Sequence, residues 1–400
     1  MNIAYITTCF GTPSHTFIRR ELYELSRIGY EITLYGIRLD PHQSPDGNYL
    51  TRKTNYIYPI RLAKTAALNL YYSIVFPVRY WSTLAECFSS KNGKIKNRCI
   101  LAYHFFVSAS LARQLTEKNI THLHSHFLNV SSSVAMFAAA LSGSDFSITI
   151  HSAGEKDLGH VLGIEMKLRR AKYLLMISRF NIEYYDLIFP CRDKSMVVRC
   201  GIDVAEFSYQ PKGTVNRDCL RLLAVGRLVE KKGFSYLLEA IKNLKFEGLN
   251  ISLTLIGTGP LEMNFRQFLI RENLNDYVKM KGIASSKEVL TAMQEADVLV
   301  VPSVISASGE MEGIPVVLME AMAIGLPVIA TDHSGISELV SEHTGKLVPE
   351  RDVEALCSAI SKFQYSINKV SAARNLIERD FNIQKTVLQR VEIFSQEHHD

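Results

Sequence analysis

Two glutamates in the second half of the chain have a spacing that suits the two ends of one extended ligand. Glu312 and Glu320 are separated by seven residues, which on a single helix would be a rise of about 12 Å. One ligand group cannot bridge that distance, whereas a sugar and a ribose of the same molecule could. Gly313 and Ile314 would lie at the helix start, where free N–H groups and the helix dipole favour a diphosphate. Two solvated glutamates are the alternative, but Glu320 lies in an apolar run, where an unpaired carboxylate would be costly.

A basic turn lies upstream, where a predicted strand over 220–225 gives way to a helix. Arg227 can hold phosphate oxygens with two parallel hydrogen bonds, and Lys232 can supply a point charge. A nucleoside diphosphate leaving group needs such charge as its bond breaks. An ordinary exposed basic turn is the alternative. Gly257 ends the next predicted strand in the run Ile-Gly-Thr-Gly-Pro, which is short of a complete dinucleotide fingerprint and favours a tight turn.

Histidines mark the first half of the chain. His122, His124 and His126 alternate and would share one face of a strand. A metal cluster is conceivable there, but no acidic or sulfur ligand lies close in sequence, so we expect no metal. His151 ends a predicted buried strand, a position typical of cleft residues in α/β proteins, although a structural histidine is the alternative. No Asp-x-Asp pair occurs, so we expect neither a Mg²⁺ site nor another cofactor.

Strand and helix patterns alternate along the chain, which predicts α/β domains with doubly wound parallel sheets and ligands beyond the carboxyl ends of the strands. The first half opens with a strand over 2–7, a helix ending before Gly29 and a strand over 31–35. The second half is more regular. Its predicted strands lie at 220–225, 251–256, 278–281, 298–302, 327–330 and 346–348, with helices at 234–244, 261–272, 287–295, 316–323, 336–340 and 353–363.

Polar residues with Pro211 and Gly213 interrupt this alternation near 201–216. We therefore predict an N-terminal domain over 1–200 and a C-terminal domain over 201–380. The two would be similarly built and separated by a cleft, the usual place for a ligand site. Residues 381–400 would form a further C-terminal helix.

Charge is divided unevenly between the two halves. The chain of 400 residues has a net charge of +5, from 45 basic and 40 acidic side chains. Residues 1–200 carry +10 and residues 201–400 carry −5, which suggests domains with different partners. Within 51–100, nine basic residues accompany one acid, Glu86, and eight aromatic residues. This mixture favours an anionic membrane surface, with a core helix as the alternative, and the acidic second half argues against nucleic acid.

Cysteine usage and the termini indicate the compartment. The seven cysteines are scattered without Cys-x-x-Cys spacing, which argues against a disulfide framework or a structural zinc site and fits a reducing cytosol. The first ten residues have no basic segment typical of a signal peptide. No uninterrupted apolar run reaches about 18 residues, so we predict no transmembrane helix.

Several segments together resemble one family, the retaining glycosyltransferases of the GT-B fold, family 4. In the second half these segments span Val225 to Thr331, and they are Val-Gly-Arg-Leu from 225 with Lys232 and Gly233, Ile-Gly-Thr-Gly-Pro from 256, Val-Val-Pro-Ser from 300, Glu312-Gly with Glu320-Ala, and Gly325 to Thr331. In the first half the resemblance is to exopolysaccharide and colanic acid enzymes, through Ser14 to Ile18, His124 to Phe127, Thr149 to His151 and Gly201 to Val204 with Phe207.

The resemblance implies two Rossmann-like domains facing across a cleft, with the C-terminal helix of 381–400 crossing back to the N-terminal domain. It implies retaining transfer of a hexose from a nucleotide sugar to a lipid-linked or growing saccharide, without a metal. A UDP-sugar is the favoured donor, and a GDP-sugar is the alternative. The protein would be cytoplasmic and peripheral at the inner face of the cytoplasmic membrane. The residues that the resemblance implies for binding the donor diphosphate are Arg227, Lys232, Gly313, Ile314 and Gly11. Glu312 would bind the transferred sugar, and Glu320 and Gly257 would bind the ribose and the nucleotide. His151 would lie at the reaction centre, and Thr12 and His126 on the acceptor side.

The sequence departs from the family pattern at two positions, and three other functions would also fit its motifs. The family often has paired glycines after the first strand, whereas this chain has Gly11 alone, and Glu155 and Asp157 compete for one acidic position after His151. The rivals are a nucleotide-sugar epimerase, a glycogen-type synthase and a non-catalytic subunit that binds nucleotide sugar.

Overall fold

The computed structural model describes residues 2–10, 15–39, 48–89, 93–154, 161–212 and 218–395. It divides into two compact units, one of Met1–Arg199 with Val387–Asp400 and one of Cys200–Thr386. Six residues named above lie outside the described residues: Gly11, Thr12, Ser14, Glu155, Asp157 and Gly213.

A parallel seven-stranded sheet forms the centre of the first unit. The strands stand in the order β3-β2-β1-β4-β5-β6-β7, so the chain winds one way from β1 and the other way from β4. The strands are β1 (Ile3–Thr7), β2 (Thr33–Gly36), β3 (Asn55–Tyr56), β4 (His122–His126), β5 (Asp145–Ile150), β6 (Tyr173–Met176) and β7 (Ser195–Val197). The helices are α1 (Thr16–Arg27), α2 (Asn48–Lys53), α3 (Leu62–Val75), α4 (Pro77–Cys87), α5 (Ile95–Glu117), α6 (Val130–Ser142), α7 (Ile164–Arg170) and α8 (Arg179–Asp186).

Helix α6 shows why the first unit has a large core. Nearly every residue of α6 is buried, as expected of a helix composed of apolar residues and small serines without a charged face. The Asn129 side chain caps its first turn by accepting a hydrogen bond from the Ser131 N–H, and Gly143 ends it in the left-handed conformation at φ +83°. Its side chains pack with α5 and the sheet around Phe105 and Phe137, whose rings meet edge to face at 5.5 Å.

A six-stranded parallel sheet organises the second unit in the order β10-β9-β8-β11-β12-β13. The chain again changes direction, here between β8 and β11. The strands are β8 (Leu220–Val225), β9 (Ile251–Ile256), β10 (Val278–Gly282), β11 (Val298–Val301), β12 (Val328–Thr331) and β13 (Lys346–Val348). The helices are α9 (Phe234–Phe246), α10 (Glu262–Arg271), α11 (Ser286–Glu295), α12 (Val316–Ile324), α13 (Val353–Ser361) and α14 (Ile367–Asp380). The last helix, α15 (Ile383–Ser395), begins in this unit, and from Val387 onward the chain belongs to the first unit.

The second sheet agrees with the sequence pattern because its strands are short apolar runs bounded by glycine and proline. The predicted helix over 336–340 is wrong, since the structure has a 3-10 helix at Ser334–Glu338. Ser334 there has a φ of +47°, outside the range of a right-handed helix. Three long helices of the first unit, α3, α4 and α5, were not predicted as elements.

Within the residues that the structure describes, no helix combines the length and the apolar character needed to cross a membrane.

Candidate functional site

The change of direction between β8 and β11 places two loops side by side in the second unit, where doubly wound sheets bind ligands. The loop after β8 ends in a turn of 3-10 helix, Glu230–Lys232, closed by Gly233 at φ +65°. A Cβ atom at Gly233 would lie 1.7 Å from the carbonyl oxygen of Pro302, just after β11. Only glycine allows this approach, and it fixes the basic turn against the end of β11.

Lys232 and Glu312 meet across these two loops. The Lys232 Nζ atom lies 2.7 Å from the Glu312 Oε2 atom, and the two side chains are 16% and 17% exposed. A second pair runs parallel, with Lys231 Nζ 3.4 Å from Glu310 Oε2. Burial alone would raise the pKa of Glu312, but Lys232 and Lys231 together lower it, so its carboxylate is ionised at neutral pH.

His333, which follows β12, holds the Glu312 backbone in place. Its Nε2 atom accepts a hydrogen bond from the Glu312 N–H at 3.3 Å, and its Nδ1 atom lies 3.2 Å from the Glu350 carboxylate. Burial lowers the pKa of His333, while Glu350 opposes that shift, which fits a neutral ring that donates to Glu350. The Ser334 hydroxyl also donates to the Glu312 carbonyl oxygen.

Sequence reasoning missed His333, Ser334 and Glu350. Their only signal was a position just after a predicted strand, and that signal does not reveal which loop a side chain will contact.

Arg227 and Gly257 follow two neighbouring strands of the sheet, β8 and β9. Arg227 is exposed directly after β8 and Gly226. Gly257 follows β9 at φ +141°, and a Cβ atom there would lie 1.9 Å from the Gly226 carbonyl oxygen. The role of Gly257 that the structure shows is this close contact between two turns, which sets the path of the backbone beside Arg227.

The two glutamates singled out at first do not share a helix. Helix α12 begins at Val316, so Glu312 lies in the loop before it and Glu320 lies within it, half buried. The predicted rise along one helix is therefore wrong, because Pro315 precedes the helix as its N-cap. Gly313 and Ile314 are both buried in that loop.

In the first unit, the structure brings His126 and His151 together. His126 is the last residue of β4, and His151 directly follows the neighbouring strand β5. The His126 Nδ1 atom lies 3.0 Å from the His151 Nε2 atom. The His151 ring packs against Phe17 and Phe127, with ring centroids 4.4 Å and 4.7 Å apart. His126 is fully buried and His151 is 8% exposed, so an influence of His126 on a ligand would act through His151.

The other histidines of β4 form a row of hydrogen bonds with hydroxyl groups of β5. His122 Nε2 and His124 Nδ1 lie 2.6 Å and 2.7 Å from the Ser147 hydroxyl, and His124 Nε2 lies 2.8 Å from the Thr149 hydroxyl. Burial lowers the pKa values of His124, His126 and His151 well below the ordinary range, and Arg390 adds to the shift. Among the described residues, no group of three or more His, Cys, Asp or Glu side chains is suited to hold a metal ion.

Comparisons with known proteins bear on this arrangement. A family model described as glycosyl transferases group 1 matches residues 219–364. Over 399 residues the chain is 30% identical to the amylovoran biosynthesis glycosyltransferase AmsK of Erwinia amylovora, and the match covers 96% of each chain. The chain belongs to the group 1 glycosyltransferases.

Two further similarities agree with that membership. This group 1 glycosyltransferase is 42% identical over 222 residues to the putative colanic acid biosynthesis glycosyltransferase WcaL of Escherichia coli K12, with 54% of each chain covered. Its structure is similar to the crystal structure of Anabaena Alr3699/HepE in complex with UDP and glucose, with a TM-score of 0.72, 15% identity, and 99% and 100% of the two chains covered. That likeness shows the fold, which is GT-B with two parallel-sheet α/β domains.

Proposed function

We propose that this glycosyltransferase moves a hexose, with retention of configuration, from a nucleoside diphosphate sugar to a lipid-linked or growing saccharide in exopolysaccharide synthesis. The observation that carries the proposal is the Lys232–Glu312 pair at the change of direction between β8 and β11. It supplies a cation for the diphosphate and a carboxylate for the sugar within one contact. The similarity to AmsK and WcaL supports exopolysaccharide as the product, and the UDP bound to HepE favours a UDP-sugar.

The donor diphosphate would be neutralised by side chains. Arg227 and Lys232 lie on the loop after β8, and Lys231 lies beside Lys232. A guanidinium can bind two phosphate oxygens at once, and an ammonium adds a point charge. Gly313 and Ile314 would offer backbone N–H groups before α12. These groups match the charge of a diphosphate, so we propose that transfer needs neither a metal nor another cofactor.

The rest of the donor would lie along α12. Glu312 would accept hydrogen bonds from hydroxyls of the transferred sugar, and Glu320 would do so from the ribose hydroxyls, with Gly257 lining the nucleotide. His151 of the first unit would line the reaction centre. Same-face substitution would break the bond between the sugar C1 and the β-phosphate oxygen and form a bond from C1 to the acceptor oxygen. The proton of the acceptor hydroxyl would pass to the departing phosphate.

A donor and acceptor screen tests this function. Purified protein is incubated with UDP-, GDP- and ADP-hexoses and a bacterial membrane lipid extract, with and without EDTA. The anomeric configuration of the product is determined by NMR. We expect acceptor-dependent transfer from a UDP-hexose, a retained anomer and no loss of rate with EDTA.

Two of the rival functions, the epimerase and the non-catalytic subunit, have their own outcome in this screen. Release of nucleotide without any acceptor would indicate an epimerase. Donor binding without transfer, even in the presence of the extract, would indicate a non-catalytic subunit. An inverted anomer would overturn the retaining mechanism, and inactivation by EDTA would overturn metal independence.

We further propose that helices α3 and α4 dock on an anionic membrane that carries the acceptor. Large apolar side chains are exposed on these helices and just beyond them, at Leu62, Leu70, Tyr71, Ile74, Val75, Phe76, Val78, Trp81, Phe88 and Ile95. Exposed basic residues accompany them, at Arg52, Lys53, Arg61, Lys64, Arg79, Lys94 and Lys96. Glu86 is paired with Arg169 and Arg170 at 2.8 Å each, so it does not repel anionic lipid strongly. A location at the inner face of the cytoplasmic membrane follows from this proposal.

Flotation with lipid vesicles tests the membrane surface. We expect wild-type protein to float with vesicles containing phosphatidylglycerol and not with pure phosphatidylcholine, because each basic residue near anionic lipid contributes about 1 kcal/mol. Ile74→Glu should reduce flotation severalfold, because it places a charge on the apolar surface. The matched control is Ile270→Glu on α10, since Ile74 is 68% and Ile270 66% exposed. Equal loss in both variants, or no flotation of the wild type, would contradict the proposal.

A further inference from the structure

A buried ion pair lies behind the His126–His151 contact. Glu21 of α1 and Arg390 of α15 are both buried, and the Arg390 Nη2 atom lies 3.1 Å from the Glu21 Oε2 atom. The other carboxylate oxygen, Oε1, lies 3.9 Å from the His126 Nε2 atom. Arg390 belongs to the C-terminal segment that is part of the first unit. A charged pair is thus separated from His151 by a single imidazole ring.

Arg390 is itself held in a fixed place. Its Nη1 atom donates to the Thr149 hydroxyl at 2.8 Å, and the same nitrogen lies 3.4 Å from His124 Nε2. Thr149 and His124 stand on neighbouring strands of the sheet. The guanidinium therefore connects the Glu21 carboxylate to the sheet, and the carboxylate has little freedom to turn away from His126.

The geometry selects one arrangement of protons when both rings are neutral. Burial raises the pKa of Glu21, and the Arg390 guanidinium opposes that shift by favouring the ionised carboxylate. An ionised Glu21 beside His126 Nε2 favours the proton on that nitrogen, because opposite charges and dipoles attract most strongly in a buried site. The Nδ1 atom of His126 then carries a lone pair and accepts from His151. His151 then holds its proton on Nε2, which leaves a lone pair and no proton on its own Nδ1.

We infer that Glu21 and Arg390 are positioning residues that set the tautomer of His151 through His126, so that His151 presents Nδ1 as an acceptor at the reaction centre. The inference rests on the proposed function for the part that places His151 near the donor sugar. A neutral histidine that accepts a hydroxyl proton would orient a sugar hydroxyl without adding positive charge beside an oxocarbenium-like transition state.

The surroundings of the two rings support a neutral state. Burial and neighbouring positive groups lower the pKa values of His126 and His151 well below the ordinary range. Within the described part of the chain, the titratable and charged groups that face the two rings are Tyr5, His15, Glu21, His124 and Arg390. Glu21 is the single acid among them, so it is the group whose charge favours a proton on the facing nitrogen of His126.

Nitrogen-15 NMR of the imidazole groups tests the inference without any substrate. The His151 signals are assigned by comparison with a His151→Asn variant, and the tautomer is determined at pH 7.5. We expect the wild type to hold the proton of His151 on Nε2. Glu21→Gln should give a mixture or the opposite tautomer, and Glu21→Asp, which keeps the carboxylate, should restore the wild-type form.

Two further variants keep the test decisive. Glu21→Gln combined with Arg390→Met removes both charges, so no buried charge remains uncompensated if the single variant fails to fold. The matched control is Glu24→Gln, because Glu24 is also buried on α1 but pairs with Arg27 at 2.7 Å instead. The inference is overturned if His151 keeps its tautomer in the folded Glu21 variants, or if Glu24→Gln changes it equally.

Once a donor and an acceptor are identified, the same variants are assayed for transfer. Glu21→Gln should lower kcat about tenfold and change KM for the donor little, which a general loss of stability would not produce. Because the tautomer is measured without substrate, a failed transfer screen would contradict the proposed function and leave this inference standing.

Discussion

At the scale of single residues, the proposed donor site would require the ion pair between Lys232 and Glu312 to be reorganised when a donor binds. Both side chains are shielded from most of the solvent, so their attraction is stronger than that of an exposed pair. An arriving diphosphate would compete with Glu312 for the ammonium group. The Glu312 carboxylate would then be available to accept hydrogen bonds from sugar hydroxyls. Before a donor binds, the ion pair would hold the Lys232 and Glu312 side chains in position.

Arg227 offers the sharpest test at this scale. It is exposed, so Arg227→Ala should leave the free energy of unfolding nearly unchanged. A charged hydrogen bond to the leaving diphosphate contributes about 1.5–3 kcal/mol, which is a loss of roughly ten- to hundredfold in kcat/KM. Steady-state kinetics with the identified donor measure this. The control is Arg271→Ala on α10, where the side chain pairs with Glu272 away from the strand ends. Wild-type turnover of Arg227→Ala would contradict the assignment.

At the scale of elements, the sequence predicted the second unit far better than the first. Strands such as Leu220–Val225 and Ile251–Ile256 have the predicted bounds, because continuous apolar runs between glycines and prolines have few alternatives. In the first unit, α3 was hidden because it exposes apolar residues such as Ile74, which breaks the usual amphipathic pattern.

The candidate site shows the same division. Lys232 and His151 are predicted from the sequence because they follow predicted strands, and Glu312 because of its spacing from Glu320. The contact between Glu21 and Arg390 could not be predicted in this way, because it joins two helices at opposite ends of the chain. No local pattern encodes a contact between residues so far apart in sequence.

Gly233 provides an element-scale prediction about the loop after β8. Gly233→Ala should destabilise the second unit and weaken donor binding, because the added Cβ atom would press on the Pro302 carbonyl oxygen and separate the two loops. The matched control is Gly248→Ala. Gly248 has a similar φ of +77° but nothing within 4 Å of the added atom, so that variant shows the backbone strain alone, roughly 1–2 kcal/mol. Urea unfolding and UDP titration calorimetry measure both effects, and equal losses in the two variants would refute this role of Gly233.

At the scale of the whole molecule, the first unit buries an unusual number of neutral histidines. Burial lowers the pKa values of His124, His126 and His151. His104 of α5 is shifted to a pKa of about 4 by burial and by Lys167. An unfolded chain would protonate all four below about pH 6.5. Glu21 has the opposite effect on how stability changes with pH, since burial raises its pKa despite Arg390. It is a single group, whereas four histidines lose stability on acidification.

The stability of the first unit should therefore fall as the pH decreases below about 6.5. The contribution of these histidines is fully present above that value, because folded and unfolded chains then bind equal numbers of protons. It is lost on acidification at about 1.4 kcal/mol per pH unit for each proton that only the unfolded chain takes up. Trp81 of α4 is the only tryptophan in the sequence, so its fluorescence during urea unfolding reports on the first unit. His104→Gln should reduce the pH dependence of the free energy of unfolding, because the unfolded chain then takes up as much as one proton fewer. His343→Gln, at an exposed position in the second unit, should leave that pH dependence unchanged. A urea midpoint that stays constant between pH 7.5 and 5.5 would mean that these histidines are already charged in the folded protein.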